Sequence, residues 1–440
     1  MKHMRKTIIL VLAVCLLLGL VACGGSRSGS SAAQTETKSA REQIADIIEQ
    51  TAMGLNGIQP TPLPDRSHIN KGLPGKKNPR DVTVAYAAQS LGSVFFQTYL
   101  ETLQRETARY GYNLIYQVCD FNIELQTQKV DSFVAQGVDI IIVASNTQAH
   151  TSTFRRAAEA GIPVLAGGNQ SAERDANLIC NFLQNSFKAG YLVGEYVARE
   201  IYEQGKTYKV GFILNYLGSA DTESRANGFQ TGFQYVMREL SGNPYPSQWD
   251  AILECYLQWR SFVDRGTYSS PAGKIEFVGL GVGGAPTMEG GQRAANDLVA
   301  ANLDMDLLYV ETDNMWPGVE VVLRQNNLQP GKDLYIACAA DSTKFGMEAV
   351  MKGDILAIGI NSSEINALGW MEVIRTIFEE GQLDRINNLP ANHFTNTAVV
   401  NIKNVNDFYD PNRNLARPIP LELKTIPEVN AGIGDDSPPF

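Results

Sequence analysis

The chain is poor in the residues that most often carry chemistry. Its 440 residues include only six cysteines and four histidines. No Cys-x-x-Cys pair occurs, and His3, His68, His150 and His393 stand singly. Zinc needs clustered thiolates and imidazoles, so this spacing excludes a zinc site. Without a metal or a nucleophile paired with a base, an enzyme is not expected, and neither is a cofactor. Beyond Cys15 and Cys23 the cysteines are Cys119, Cys180, Cys255 and Cys338. Cys119, Cys180 and Cys338 sit in strand-like contexts, where a free thiol behaves as a small buried hydrophobe. A disulfide stays open for an exported chain.

Clustered positive charge is also missing. Lys and Arg number 37 against 47 Asp and Glu, with no basic block. A chain that acidic is not built to neutralise phosphates, which excludes nucleic acid as a partner. Long apolar runs are confined to residues 7–21, after Lys2, Arg5 and Lys6. That run is too short, and too closely followed by small residues, for a stable membrane span. It ends in Leu20-Val21-Ala22-Cys23, which resembles the bacterial lipobox, where the cysteine is lipidated and becomes the mature N-terminus. An ordinary cleaved signal with a chance cysteine is the alternative. The lipobox reading predicts export and a membrane anchor on Cys23, on the extracellular or periplasmic side. Removing residues 1–22 leaves 34 basic against 47 acidic side chains, a net charge of −13 that favours solubility.

What is present is a regular α/β alternation. Residues 24–38 are rich in Gly, Ser and Ala and read as a tether. Residues 39–52 predict a short amphipathic helix with Ile44, Ile47 and Ile48 on one face. Residues 56–80 carry five prolines and read as an irregular lead-in. From Asp81 the pattern predicts strands over 82–87, 113–118, 139–144 and 161–166, with helices over 94–110, 125–136 and 151–160 between them. It restarts with a helix over 187–203, a strand over 209–214 and a helix over 225–240. Residues 242–273 read as an irregular, aromatic insertion. Strands over 275–280, 307–311, 334–339 and 355–360 follow, with helices over 291–301, 317–326, 344–352 and 366–380, and a late strand over 397–402. Such spacing means βαβ units with right-handed crossovers and parallel sheets buried on both faces. The predicted fold is α/β, with two doubly wound parallel-sheet lobes and a cleft between them.

Ligands of open α/β sheets bind at the carboxyl edge of the strands. The stretch 82–96 runs from strand through a polar turn into a helix, and places Gln89, Ser93, Phe95 and Phe96 there. The two rings suit an apolar ligand face; the alternative is that they anchor the first helix in the core. Further strand-end candidates are Ser145 and Asn146, Asn169, Thr312 and Asp313, Asp341, and Asn361, with Arg225 at a helix start. Asp, Asn, Gln and Arg hydrogen-bond hydroxyl groups, although Asn and Asp at such edges also cap helices and fill turns. Arg225 and Asp341 stand out, because a charge turned into an apolar cleft needs a partner. Trp316 either lines the cleft mouth or packs against its helix start. Two other motifs fail. Residues 279–284 satisfy G-x-G-x-x-G but lack a helix opening at the last glycine, so a mobile ligand-facing loop is expected rather than a dinucleotide site. Asp410-Pro-Asn412 begins like a calcium loop, but Leu415 and Leu421 stand where glycine and glutamate are required.

The stretches VFFQTYLETLQRETARYGYNL, QKVDSFVAQGVDIIIVAS, AGIPVLA, NSFKAGYLVGEYV, SRANGF, ETDNM, DSTKFGMEAVMKGDILAIGIN and NTAVVNIKNVNDFYD together resemble the substrate-binding proteins of bacterial ABC sugar importers, in the ribose-binding family of type I periplasmic binding proteins. The resemblance runs from Asp81 to about Tyr409. It implies a three-strand hinge with crossings near Gln184, Asn361 and Phe394. The lobes are then 81–183 with 362–394 and 184–361 with 395–415, preceded by 1–23 and 24–80 and followed by a tail, 416–440. It implies that Phe95 and Phe96 sandwich a sugar, that Gln89 and Ser93 touch it, and that Arg225, Asp341 and Asn361 bind it. Thr312 stands where an asparagine is common, with Asp313 retained. Gly168-Asn169 replaces the common Asp-Arg, and an asparagine expected near Ala144 is displaced, which points away from ribose towards a larger sugar or a nucleoside. The implied partners are a small polar solute and an ABC permease, with the protein acting as a monomer. A sensor subunit for a membrane histidine kinase or chemoreceptor would use the same residues and differ only in its partner.

Overall fold

The computed structural model describes residues 38–51, 53–67, 73–145, 151–168 and 178–433. The expected signal segment with Cys23, residues 24–37 of the tether, Asn146 and Asn169 lie outside them. The description also leaves out the side chain of Ser145.

An N-terminal helix, α1 (Ala40–Gln50), precedes the first lobe. There the chain alternates β1 (Thr83–Ala88), α2 (Val94–Tyr110), β2 (Asn113–Val118), α3 (Ile123–Gln136), β3 (Ile140–Ser145), α4 (Thr151–Glu159), β4 (Val164–Gly168) and β5 (Cys180–Gln184). The second lobe follows with α5 (Ser186–Ile201), β6 (Tyr208–Leu214), α6 (Ala220–Leu240), α7 (Gln248–Arg265), β7 (Tyr268–Ser270), β8 (Ile275–Val282), α8 (Met288–Ala301), β9 (Leu307–Val310), α9 (Trp316–Gln325), β10 (Tyr335–Cys338), α10 (Lys344–Lys352) and β11 (Ala357–Gly359). The chain returns through α11 (Ser363–Arg375), α12 (Leu383–Asn387) and β12 (Asn392–Thr395), then leaves through β13 (Val399–Asn401), α13 (Val405–Phe408) and α14 (Ile426–Ala431). No helix among the described residues is long and apolar enough to cross a membrane.

Two sheets result. One has the order β12-β5-β4-β3-β1-β2 and is wholly parallel. The other has the order β13-β11-β10-β9-β6-β8-β7, parallel except for its two edge strands. The chain therefore passes between sheets after β5, after β11 and after β12. Successive residues of a strand point to opposite faces, and both faces are apolar here. Val84, Tyr86 and Ala88 enter one core while Ala85 and Ala87 enter another. Leu308 and Val310 likewise oppose Leu307 and Tyr309 in the second sheet. That is why β1, β3 and β9 read as continuous apolar runs rather than alternating ones.

The insertion 242–273 is not irregular. It holds α7, whose N-cap Ser247 accepts a hydrogen bond from Asp250 N. Trp249, Ile252, Tyr256 and Trp259 recur at helical spacing and are buried. Trp249, Ile252 and Tyr256 pack against Ile44 of α1, with Ile47 and Ile48 beside it. Helix α6 begins at Ala220, with Asp221 and Glu223 favourably placed at its positive end, so Arg225 lies one turn inside. The glycine-rich stretch 279–284 is largely strand: a Cβ on Gly281 would lie 2.0 Å from the Ala294 carbonyl oxygen of α8. Close helix packing, not a mobile loop, explains those glycines. The four cysteines among the described residues are buried and free.

Residues 53–67 form a strap behind the hinge. Asn56 N donates to Ser224 Oγ at 2.7 Å, and Asn185 Nδ2 donates to the Gly57 carbonyl at 3.1 Å. Further along, the buried Arg66 guanidinium donates to the carbonyls of Leu178 and Ile179, at 3.0 and 3.2 Å. One segment thus grips both lobes. The tail returns beside it, with Lys424 N donating to His393 Nε2 at 3.0 Å and Asn430 Nδ2 to the Leu63 carbonyl. Accepting at Nε2 requires a neutral ring, and burial pushes the His393 imidazole down to about 4. A neutral buried histidine stabilises the fold above its unfolded pKa. As the pH falls from about 6.5 towards 4 the unfolded chain takes up a proton that the folded one refuses, and about 3 kcal/mol is lost. Subtracting the unfolding free energy of a His393→Gln variant from that of the wild type across this window isolates the effect. The difference should fall steadily with acidification; a flat difference would show that His393 is not held neutral.

Candidate functional site

The carboxyl ends of both sheets face a cavity of about 610 Å³. On the first lobe, Ser93 is the N-cap residue of α2 but makes no side-chain capping bond, so its hydroxyl faces the cavity uncommitted. Gln89 precedes it, and Phe95 and Phe96 follow on the first turn of α2. These two rings meet edge to face at 5.6 Å, and Phe95 meets Tyr99 in the same way at 5.4 Å. The rings pack against the first core and also line the cavity. Tyr99 is buried, and its hydroxyl accepts from Asn366 Nδ2 at 3.0 Å.

The second lobe and the hinge supply the polar end. Arg225 Nη1 donates to Glu311 Oε1 at 2.6 Å, and its Nε and Nη2 donate to Gln184 Oε1 at 3.2 and 2.8 Å. Gln184 in turn donates to the Ile360 carbonyl, so it ties the arginine to two of the hinge crossings. Glu311 is fully buried and also accepts from Asn215 N and Thr222 Oγ1. Burial alone would lower the Arg225 pKa, but Glu311, Asp341 and Asp221 outweigh it and hold the guanidinium charged. Burial pushes the Glu311 carboxyl up, and Arg225 pulls it back.

Asp341 is held with equal care. Its Oδ2 accepts from Thr312 Oγ1 at 2.8 Å and from Asn314 Nδ2 at 2.5 Å, and its Oδ1 accepts from Asn361 Nδ2 at 2.8 Å. The three donors come from the ends of β9 and β11 and fix the carboxylate before any ligand arrives. Such preorganised polar groups in a partly aromatic concavity are what a small-molecule site requires.

Eight of the expected residues line this one cavity: Gln89, Ser93, Phe95, Phe96, Arg225, Thr312, Asp341 and Asn361. Two others do not. Asp313 is wholly buried and accepts from Asp341 N at 3.1 Å and from Thr343 N and Oγ1 at 2.7 and 2.9 Å. It positions the backbone that carries Asp341, and burial together with the Asp341 charge pushes its carboxyl up to about 7. Trp316 is buried in the core under α9 and is absent from the cleft mouth. Ser145 ends β3, and Gly168, beside Asn169, reaches the cavity wall. Sequence reasoning missed Gln184 and Glu311. Glu311 directly follows β9, so the strand-end rule that found Thr312 and Asn361 would have found it too, whereas Gln184 ends β5, a strand the sequence pattern did not show. Arg225 is the one cation among the described residues lining the cavity, against the carboxylates of Asp221, Glu311 and Asp341. No group of potential metal ligands gathers among the described residues.

Comparison with known proteins agrees with this architecture. The model of the periplasmic binding protein domain family matches residues 84–374. The ribose import binding protein RbsB of Salmonella typhimurium is 24% identical over 149 residues, 34% of this chain and 49% of that protein. Its Bacillus subtilis counterpart is 22% identical over 153 residues, 34% and 48% of the two chains. The chain thus spans about half the length of the curated relatives it matches. Among solved structures, a periplasmic solute-binding protein of an ABC transporter from Actinobacillus succinogenes, with bound D-allose, superposes with a TM-score of 0.59 at 18% identity, over 74% of this chain and all 100% of that one. A solute-binding protein of an ABC transporter from Bacillus halodurans, with bound myo-inositol, gives a TM-score of 0.56 at 15% identity, over 75% and 98%. These superpositions show a shared fold. With a family model running through both sheets and a cleft between two α/β lobes, the chain belongs to the periplasmic binding protein domain family.

Proposed function

We propose that this protein captures a neutral polyhydroxy solute, a sugar, by closing its lobes on it, and delivers it unchanged to an ABC transporter permease. Closure is a rotation about the three crossings, at 184–186, 360–362 and 395–398. Phe95 and Phe96 cover an apolar C–H face of the ligand. Gln89, Ser93, Arg225, Thr312, Asp341 and Asn361 hydrogen-bond its hydroxyls, and lobe 1 adds Ser145, Asn146 and Asn169. Lipidation of Cys23 holds a monomer at the outer face of the membrane, with residues 24–37 as tether. The observation that carries the reading is one cavity that takes aromatic rings from one lobe and, from the other, Asp341 and Arg225 with its ion-pair partner Glu311. Contacts from both lobes favour the closed form only when a ligand bridges them. One guanidinium against three carboxylates argues for neutral ligands and against sugar phosphates and uronates. The relatives named for ribose import, and the D-allose and myo-inositol in two structural neighbours, support a polyhydroxy ligand.

A thermal-shift screen of monosaccharides, disaccharides, polyols, nucleosides and sugar phosphates tests this, since a ligand stabilises the native form by mass action. At least one neutral sugar or polyol should raise the melting temperature, and no sugar phosphate should. If every neutral sugar and polyol leaves it unmoved, the proposal fails.

A further inference from the structure

The cavity does not end at the polar cluster. Four rings form a continuous row from its depth to its mouth: Tyr99 meets Phe95 at 5.4 Å, Phe95 meets Phe96 at 5.6 Å, and Phe96 meets Phe121 at 5.4 Å. Exposure rises along the row, from 1% at Tyr99 to 52% at Phe121. The backbone holds Phe121 in that position. It and Asp120 both adopt left-handed backbone, φ 59° and 45°, in the turn between β2 and α3. A bulky residue rarely adopts that conformation, and such strain concentrates where a side chain must be aimed. Phe121 N also donates to the Gln89 carbonyl at 2.9 Å, which fixes this turn to the loop carrying Gln89 and Ser93. From the other lobe, Tyr216 and Leu217 line the same cavity at 47% and 44% exposure. Three large apolar side chains thus stand half in water at the mouth of a polar pocket, and none of them is buried in a core.

We infer that the cleft has an outer subsite, floored by Phe121 and walled by Tyr216 and Leu217, and that the ligand is a disaccharide whose second ring lies there. The inference rests on the reading of the inner cleft as a sugar site and extends it. The cavity, at about 610 Å³, lies in the middle of the usual span of about 300–1,000 Å³ for small-molecule sites, so space beyond the inner polar cluster is present. The division of chemistry fits as well. The buried part of the lining has the hydrogen-bonding groups that recognise hydroxyls, whereas its exposed part includes Phe121, Tyr216 and Leu217. A second sugar ring can set one C–H face on Phe121 and leave its hydroxyl edge solvated.

Calorimetry on the full chain tests this with glucose, galactose, xylose and ribose set against cellobiose, maltose, lactose and xylobiose. One disaccharide should bind about tenfold or more tighter than its component monosaccharides, the yield of burying one ring face. Phe121→Ala and, separately, Leu217→Ala should remove most of that advantage and leave monosaccharide binding within about twofold. Both positions are exposed, and an unchanged melting temperature will show that the variants fold. A monosaccharide that binds as tightly as any disaccharide overturns the outer subsite and leaves the proposed function standing. So does a Phe121→Ala loss that is equal for both classes. A nucleoside as sole binder in the thermal-shift screen overturns the proposed function and the disaccharide assignment together. If nothing in either sugar series or the polyol screen binds, the proposed function itself has failed, and the subsite with it.

Discussion

Replacing Arg225 with alanine is expected to lower the unfolding free energy by about 3–5 kcal/mol and to weaken ligand binding by at least about tenfold. The first effect comes from Glu311. Its carboxylate is fully buried, and Arg225 is its ion-pair partner at 2.6 Å. Removing the guanidinium leaves a buried charge with only Asn215 N and Thr222 Oγ1 as donors. The second effect comes from losing the cavity's cation. The two are separable, because replacing a whole buried pair with apolar groups of similar size is far milder than breaking it. Arg225→Met combined with Glu311→Met should therefore recover most of the stability and none of the binding. Denaturant unfolding and calorimetry on both variants read the two effects. An alanine variant as stable as the wild type would mean that Glu311 does not depend on Arg225. A double variant that still binds ligand would remove Arg225 from the site.

Gly190→Val is expected to cost about 3 kcal/mol and to disturb the same arginine. Helices α5 and α6 touch backbone to backbone. A Cβ on Gly190 would lie 1.9 Å from the Arg225 carbonyl oxygen, one on Gly194 2.0 Å from that of Phe229, and one on Gly228 2.1 Å from that of Phe187. Main chain in the middle of a helix cannot step aside as a flexible side chain would, so the helices must separate. Arg225 is carried on the residue that is struck, and its guanidinium would then leave Gln184 and Glu311. Gly75→Ala is the control, since nothing lies within 4 Å of the added carbon; its effect should stay within about 0.5 kcal/mol. Melting temperature and ligand affinity should fall together in Gly190→Val. Full affinity in that variant would show that α6 can shift without moving the site.

The alternation of strands and helices was legible because the central strands are buried on both faces and helices such as α2 on one. Ile140–Ser145 and Val94–Tyr110 declare themselves by composition and period, and lie within a residue of where the pattern places them. The strand β5 was not legible: it is five residues long, and its Asn181 and Gln184 are polar yet buried, because each is satisfied by a partner far along the chain. Helix α7 was misread because an aromatic run resembles a loop until its spacing is counted. Within the site, strand-end position identified Thr312, Asp341 and Asn361, and an expected helix start identified Arg225. Strand-end position could not separate Asp341, which lines the cavity, from Asp313, which is wholly buried and accepts a hydrogen bond directly from Asp341 N.

Local pattern by itself determined the α/β class, the two lobes and the strand edges where a ligand could be met, since these depend on periodicity and turn chemistry read within one window of sequence. Only the tertiary structure decided the rest: that Glu311 and Gln184 hold Arg225, that residues 53–67 strap both lobes, and that Phe121 and Leu217 share one cavity. Those contacts join residues far apart in the chain, and the free energy that selects them comes from burial and pairing in three dimensions, which no single stretch of sequence contains.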